Sequence, residues 1–251
     1  MGNQILKGKV AVVCGASRNL GSLICKTLGE EGASVVVHYN SNSSKAEAEG
    51  TVKAIEAAGG EAFAFRADLT KVPEVVALFD ETVKRLSRLD ISVNAAGMVL
   101  KKPFVEVTEE EYYRIFDVNA KAAFFVMREA AKRMNDGGKI ITIVTSLLAA
   151  FTGLYSAYAG SKAPVEHFTR ALAKELGPRG ISVKNIAPGP LDTPFFYPVE
   201  SPEAVAYHKS ASMNGKLGDI KDIAPIVKFL VTEGWWITGQ TIFANGGYTT
   251  R

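Results

Sequence analysis

The sequence predicts a doubly wound α/β domain, a mainly parallel sheet with helices on both faces. Two observations carry this. Short β-branched runs alternate with helix-period stretches along the chain, the order expected of βαβ units. The runs are apolar at every position rather than every second one, which marks strands covered on both faces by crossover helices. A length of 251 residues is ordinary for one such unit, so 1–251 is read as a single domain.

In chain order the strands fall at 9–15 (KVAVVCG), 34–39 (SVVVHY), 61–69 (EAFAFRADL), 90–97 (DISVNAAG), 139–146 (KIITIVTS), 181–189 (ISVKNIAPG) and 240–247 (QTIFANGG). Helices are read between them at 21–32, 44–60, 73–87 and 109–134, and around YSAYAGSKAP at 155–164. Thr108 and Glu111 have the spacing of a capping box at the start of the 109–134 helix. Asp222 ahead of Pro225 is read as a helix cap with proline in the first turn. Gly59-Gly60 and Gly137-Gly138 are read as helix ends. From 194 to 218 the chain is longer than an ordinary connection and is read as an irregular lid.

Composition excludes several classes. Apolar residues make up 47% and charged residues 22%, which removes disordered and fibrous chains. The net charge of +3 is spread along the chain, so no nucleic-acid partner is expected. Cys14 and Cys25 have no CxxC spacing, and His38, His167 and His208 are scattered, so no metal site is expected. No run of 18 apolar residues occurs and the opening stretch is too polar for a secretory segment. Gly2 does not read as a myristoylation site, because Leu6 stands where Ser or Thr is needed. A cytoplasmic protein without membrane attachment is expected.

A ligand site is legible at the carboxyl ends of the strands. Gly15-Ala16-Ser17-Arg18-Asn19-Leu20-Gly21 follows the first strand and opens a helix. Glycines there allow a tight turn and close approach of backbone to a pyrophosphate, at a helix end with free N–H groups. The second strand ends in His38-Tyr39-Asn40-Ser41 without a carboxylate, whereas an NAD site of this fold usually has one for the ribose 2′-hydroxyl. Arg18, Asn40 and Ser41 suit a 2′-phosphate instead, so NADP(H) is expected over NAD(H). Asp68-Leu69 and Asn94-Ala95-Ala96-Gly97 close the next two strands and complete the cofactor-facing edge.

Tyr158 and Lys162 are four apart and share one face of a helix. A phenol titrates near ~10, and a fixed ammonium beside it favours the phenolate and lowers that value. Such a tyrosine can exchange a proton with a carbonyl or alcohol oxygen.

These residues, taken in order, resemble the classical short-chain dehydrogenase/reductase family. The likeness extends over essentially the whole chain through GASRNLG, ADL, NAAG, the Asn119 of DVNAK, the TS pair, YAGSK and PGPLDT. It implies a Rossmann-type seven-stranded sheet, reversible hydride transfer between NAD(P) and a carbonyl or alcohol, and a homotetramer or homodimer. It further implies a catalytic group of Asn119, Ser146, Tyr158 and Lys162. Tyr158 would be acid and base, Lys162 would lower its pKa and hold the nicotinamide ribose, and Ser146 would polarise the substrate oxygen. Asn119 would kink its helix and seat a water reaching Lys162. Pro188, Gly189, Leu191 and Thr193 match the segment that contacts the nicotinamide end. The family's hydroxyl commonly stands thirteen residues before the tyrosine, which is Thr145, whereas Ser146 is twelve before. Ser146 is preferred on the supposition of a one-residue-shorter loop. The chain departs from the family's pattern at Asn19, in place of a loop glycine, at Ala95, which could leave a turn without its hydrogen bond, and at Asn245, in place of aspartate.

The approach to the site carries Met98, Leu147, Leu148, Phe151, Phe195, Phe196, Tyr197 and Tyr207, a lining suited to an apolar ligand. Lys101, Lys102, His208 and Lys209 are the cations that could meet an anionic one. Three functions stay open: an NADP(H)-dependent ketone or aldehyde reductase, 3-oxoacyl thioesters among its candidate substrates; a sugar or polyol dehydrogenase; and an inactive NADP-binding regulator.

Overall fold

The structure, a computed structural model, describes residues 4–250; Gly2 lies outside them. Seven strands are joined in order by helices: β1 (Val10–Cys14), α1 (Asn19–Glu30), β2 (Ser34–Tyr39), α2 (Lys45–Ala57), β3 (Ala62–Arg66), α3 (Val72–Leu86), β4 (Ile91–Asn94), α4 (Glu109–Phe116), α5 (Ala122–Arg133), β5 (Lys139–Ile143), α6 (Ser156–Leu176), β6 (Ser182–Pro188), α7 (Pro202–Ser210), α8 (Ile220–Thr232) and β7 (Thr241–Ala244). The sheet order is β3-β2-β1-β4-β5-β6-β7, and every pairing is parallel. The order turns back on either side of β1, so β1 and β4 lead their connections to opposite faces and leave a crevice at their carboxyl ends.

Why the strands are apolar throughout is visible in β1. Ala11 and Val13 pack with Leu20, Ile24 and Leu28 of α1 and Val227 and Leu230 of α8. Val12 and Cys14 face the other way, onto Leu78 and Phe79 of α3 and Val126 and Met127 of α5. Alternate side chains thus enter two separate cores, and each must be apolar. Both cysteines are buried thiols, and burial pushes Cys14 up to about 12, which keeps it unreactive at neutral pH.

Thr108 and Glu111 form the expected capping box on α4. The single helix expected over 109–134 is instead interrupted by a π-helical turn at Asp117–Lys121, and Asn119 in that turn is 1% exposed. The cap of α8 is Asp219, not Asp222; Asp222 is its reciprocal partner three residues on, and Pro225 lies within the helix. Gly59 follows the end of α2, whereas Gly137 lies in the turn into β5, four residues beyond α5. The segment 194–218 is not irregular: it holds α7, capped by Ser201 with Pro202 in the first helical position. Among the described residues no helix is long and apolar enough to cross a membrane.

Candidate active site

The loop after β1 is built by backbone constraints. Gly15 has φ +71° and Asn19 has φ 49°, a left-handed conformation that asparagine accepts better than most residues. A Cβ on Gly21 would lie 2.1 Å from the Gly15 carbonyl oxygen, so only glycine lets α1 start this close to the strand. No side chain caps α1, and its first N–H groups and positive dipole end open toward the loop. His38, expected to touch cofactor, is 2% exposed and has both ring nitrogens in use. Nδ1 accepts from the Gly15 N–H at 3.0 Å, which puts the proton on Nε2, and Nε2 donates to the Ala67 carbonyl at 2.8 Å. Burial holds its pKa down at about 4. His38 therefore acts mainly as a brace for the loop.

A cleft of about 900 Å³ runs along the strand ends. Gly15, Ser17, Arg18, Asn19, Leu20 and Gly21 line it, followed by His38 and Asn40, then Asp68 and Leu69. Ser41 does not line it; its hydroxyl pairs with Ser43 at 2.8 Å. The 3₁₀ turn at Asn42–Ser44 brings Ser44 to the cleft in its place. The exposed Arg18 guanidinium lies 3.4 Å from Glu47. Burial alone would raise the Asp68 carboxyl, but the Thr70 hydroxyl and N–H and the Lys71 ammonium outweigh it, and the group titrates below its ordinary value. Asn94 is buried away from the cleft, where its Oδ1 accepts from the Ala96 N–H at 3.1 Å. This turn therefore keeps a hydrogen bond despite Ala95. Ala95, Ala96 and Gly97 line the cleft, as do Pro188, Gly189, Leu191 and Thr193 at its other end.

Tyr158 and Lys162 meet the cleft from one face of α6. Lys162 is buried, its Nζ donates to the Ile143 carbonyl at 3.0 Å, and burial draws its pKa down to about 8. A Cβ on Gly97 would stand 3.0 Å from that Nζ, so the glycine keeps the lysine's pocket open. Burial raises the Tyr158 pKa, and a hydrogen bond with the Thr145 hydroxyl opposes the rise. The net shift is upward, with desolvation its largest cause, where a lowering by Lys162 was expected. Thr145 and the expected Ser146 both line the cleft with Tyr158, and of the two it is Thr145 that acts on the phenol's titration. Thr145 is in extended backbone, and its Oγ1 also accepts from the Leu147 N–H at 3.3 Å.

Asn119 ties two elements together. Its Oδ1 accepts from the Met98 N–H, and its Nδ2 donates to the Met98 carbonyl and to Ser161 Oγ, each at 2.9 Å. Both amide protons are thus committed. Ser161 in turn donates to the Tyr158 carbonyl at 2.8 Å.

At the lid end the cleft is lined by Leu147, Tyr155, Phe195, Phe196, Glu200, His208 and Tyr248; Met98, Leu148, Phe151, Tyr197 and Tyr207 do not line it. Sequence reasoning missed Glu200. Its side chain is 1% exposed and receives Lys101 at 2.6 Å and the Tyr155 hydroxyl, with His208 Nε2 at 3.5 Å. A lone carboxylate at the end of the aromatic stretch FFYPVE was the available signal. Lys101 is thereby neutralised, and Lys102 is paired with Glu111 at 2.9 Å, so neither is free for an anionic ligand.

The donor set fits a phosphorylated dinucleotide: an uncapped helix end behind a glycine turn, a cation with two polar residues at a strand end lacking carboxylate, and small residues along the next strand end. Residues 15–249 match the family model described as enoyl-(acyl carrier protein) reductase. The chain is 40% identical to a short-chain dehydrogenase/reductase of Pestalotiopsis microspora, over 96% of each sequence. It is 39% identical to a hydroxynaphthalene reductase-like protein of Metarhizium brunneum, over 98% of this chain and 96% of that protein. Among solved structures it is similar to a Burkholderia cenocepacia protein described as a dehydrogenase and solved with bound NADP. That likeness has a TM-score of 0.96 and 53% identity and covers 100% of this chain and 97% of the other.

Proposed function

The chain belongs to the short-chain dehydrogenase/reductase family of oxidoreductases, and we propose that it is an NADP(H)-dependent reductase of a ketone or aldehyde with Tyr158 as its general acid. The convergence of Thr145, Tyr158 and Lys162 on the cleft, the tyrosine one helical turn from the lysine, carries this function. The loop from Gly15 to Gly21 would hold the pyrophosphate, Arg18, Asn40 and Ser44 the 2′-phosphate, and Pro188 to Thr193 the nicotinamide end. The NADP bound to the Burkholderia relative supports that choice of cofactor. When bound, the nicotinamide supplies or takes up hydride.

The protein's own part is to hold a carbonyl oxygen and manage its proton. Thr145 and Tyr158 would both hydrogen-bond that oxygen, and Tyr158 would give up its proton as the alkoxide forms. A phenol kept protonated by burial holds the proton that reduction of a carbonyl requires. Lys162, protonated at neutral pH with a pKa of about 8, would favour the phenolate left behind and hold the ribose. Asn119 fixes the loop at Met98 against α6 and so sets the cleft floor. The aromatic lid end suits an apolar carbonyl better than a polyol. Loss of NADPH absorbance with a panel of ketones and aldehydes tests the assignment, and failure to oxidise NADPH with any carbonyl would overturn it.

Self-association as a dimer or tetramer is supported by the exposed apolar side chains Phe104, Val105, Tyr113, Trp235 and Trp236. Light scattering measures it directly.

A further inference from the structure

His208 lies on α7 in the lid and is 7% exposed. Its Nε2 faces the Glu200 carboxylate at 3.5 Å, and its Nδ1 has no hydrogen-bond partner among the described residues. The ring is enclosed by Phe196, Tyr207 and Tyr248, with centroids 5.5, 5.6 and 5.6 Å away. Phe196 and Tyr248 line the cleft together with His208 itself.

A carboxylate beside Nε2 places the imidazole proton on that nitrogen. The Glu200 charge is already balanced by Lys101 at 2.6 Å, so nothing in the cluster calls for a second cation. Burial lowers the pKa of His208, the Glu200 charge raises it and the Lys101 charge lowers it, with a net fall, which agrees with a neutral ring at pH 7. A neutral ring with Nε2 protonated leaves Nδ1 as a bare acceptor. Leaving such an atom buried and unpaired costs on the order of 1–3 kcal/mol, a cost that a ligand's hydrogen-bond donor removes.

We propose that His208 Nδ1 is a substrate-recognition site that accepts from a hydroxyl on an aromatic ketone whose carbonyl sits at Tyr158. Glu200 is the positioning residue that fixes the tautomer, and Lys101 and Tyr155 hold Glu200 in place. The span from one end of the ligand to the other is bridged by Tyr155. Its ring lies 6.1 Å from that of Tyr158, and its hydroxyl binds Glu200. The inference deepens the reductase function proposed above and rests on it.

The test compares ortho-, meta- and para-hydroxyacetophenone, each against its own methyl ether. The first readout does not depend on turnover. With only three histidines in the chain, ¹⁵N spectra of the histidine-labelled, NADPH-loaded protein resolve each ring, and a His208→Phe variant assigns the resonance. Nε2 is expected to carry the proton in the free protein, and at least one hydroxy isomer is expected to move the Nδ1 resonance while its ether does not. The second readout is kcat/KM, expected to favour that hydroxy ketone over its ether at least tenfold. In His208→Phe this preference is expected to fall to near unity, and in His208→Gln, which keeps an acceptor, to be partly retained. A proton on Nδ1 in the free protein, or no Nδ1 shift with any hydroxy isomer, overturns the inference even if the ketones are reduced. So does a preference that survives in His208→Phe. An Nδ1 shift without NADPH oxidation leaves the recognition site standing and overturns the reductase function.

Discussion

Tyr158 and Lys162 share one face of α6 and both line the cleft, yet the ammonium is turned to the Ile143 carbonyl, to which it donates at 3.0 Å, while burial and Thr145 act in opposite directions on the phenol. The phenol in this arrangement is a protonated acid, and the lysine is a buried cation one turn away.

We propose Thr145, rather than Ser146, as the hydroxyl that works with Tyr158. Thr145→Ala is expected to lower kcat about 10²-fold, the usual effect of removing one hydrogen-bond donor aimed at a developing oxyanion. Thr145→Ser is expected to restore most of the loss, and Ser146→Ala to cost much less. Steady-state kinetics on the three variants decide it, and a larger loss in Ser146→Ala would reverse the assignment.

The cofactor's extra phosphate is expected to depend on Arg18. A hydrogen bond to a charged group contributes about 1.5–3 kcal/mol, so Arg18→Ala is expected to weaken NADPH binding about 10- to 100-fold and to leave NADH binding nearly unchanged. Glu47 competes for the same guanidinium at 3.4 Å. Both groups are exposed, so Glu47→Gln is expected to tighten NADPH only a few-fold. Calorimetric titration with each nucleotide gives the answer, and tighter binding of NADH by the wild-type protein would refute the preference.

His38 links the loop's integrity to acid. Its imidazole titrates near ~6.5 when unfolded and at about 4 in the fold. Below pH ~6.5 the unfolded chain takes up a proton that the native ring refuses, so the unfolded state gains. Its contribution is complete above pH ~6.5 and is lost as pH falls toward 4, by about 3 kcal/mol in all. Urea midpoints at pH 7 and pH 5 are expected to differ less in His38→Asn than in the wild type. Equal pH dependence in the two would contradict the brace assigned to this ring.

Much of this molecule is legible in its sequence, and the boundary has physical causes. The strands are legible because each enters two cores and is apolar at every position, as β1 illustrates with Ala11 and Val13 on one side and Val12 and Cys14 on the other. The glycine loop and the Tyr158–Lys162 pair are legible because their geometry is local. Ser44 lines the cleft where Ser41 was expected, since a 3₁₀ turn decides which side chain reaches it and local spacing does not reveal it. Glu200 escaped notice because its partners, Lys101 and Tyr155, come from segments 99 and 45 residues away and meet it only in the fold. The α7 helix was announced by Ser201-Pro202 but masked by the aromatic residues before it.

The most direct measurement is single-turnover NADPH oxidation by Tyr158→Phe beside NADPH binding by the same variant. Removing the acid is expected to lower the rate on the order of 10²- to 10⁴-fold while the dissociation constant for NADPH stays within a few-fold of wild type. A variant that binds NADPH normally and reduces its ketone at the wild-type rate would contradict Tyr158 as the proton donor.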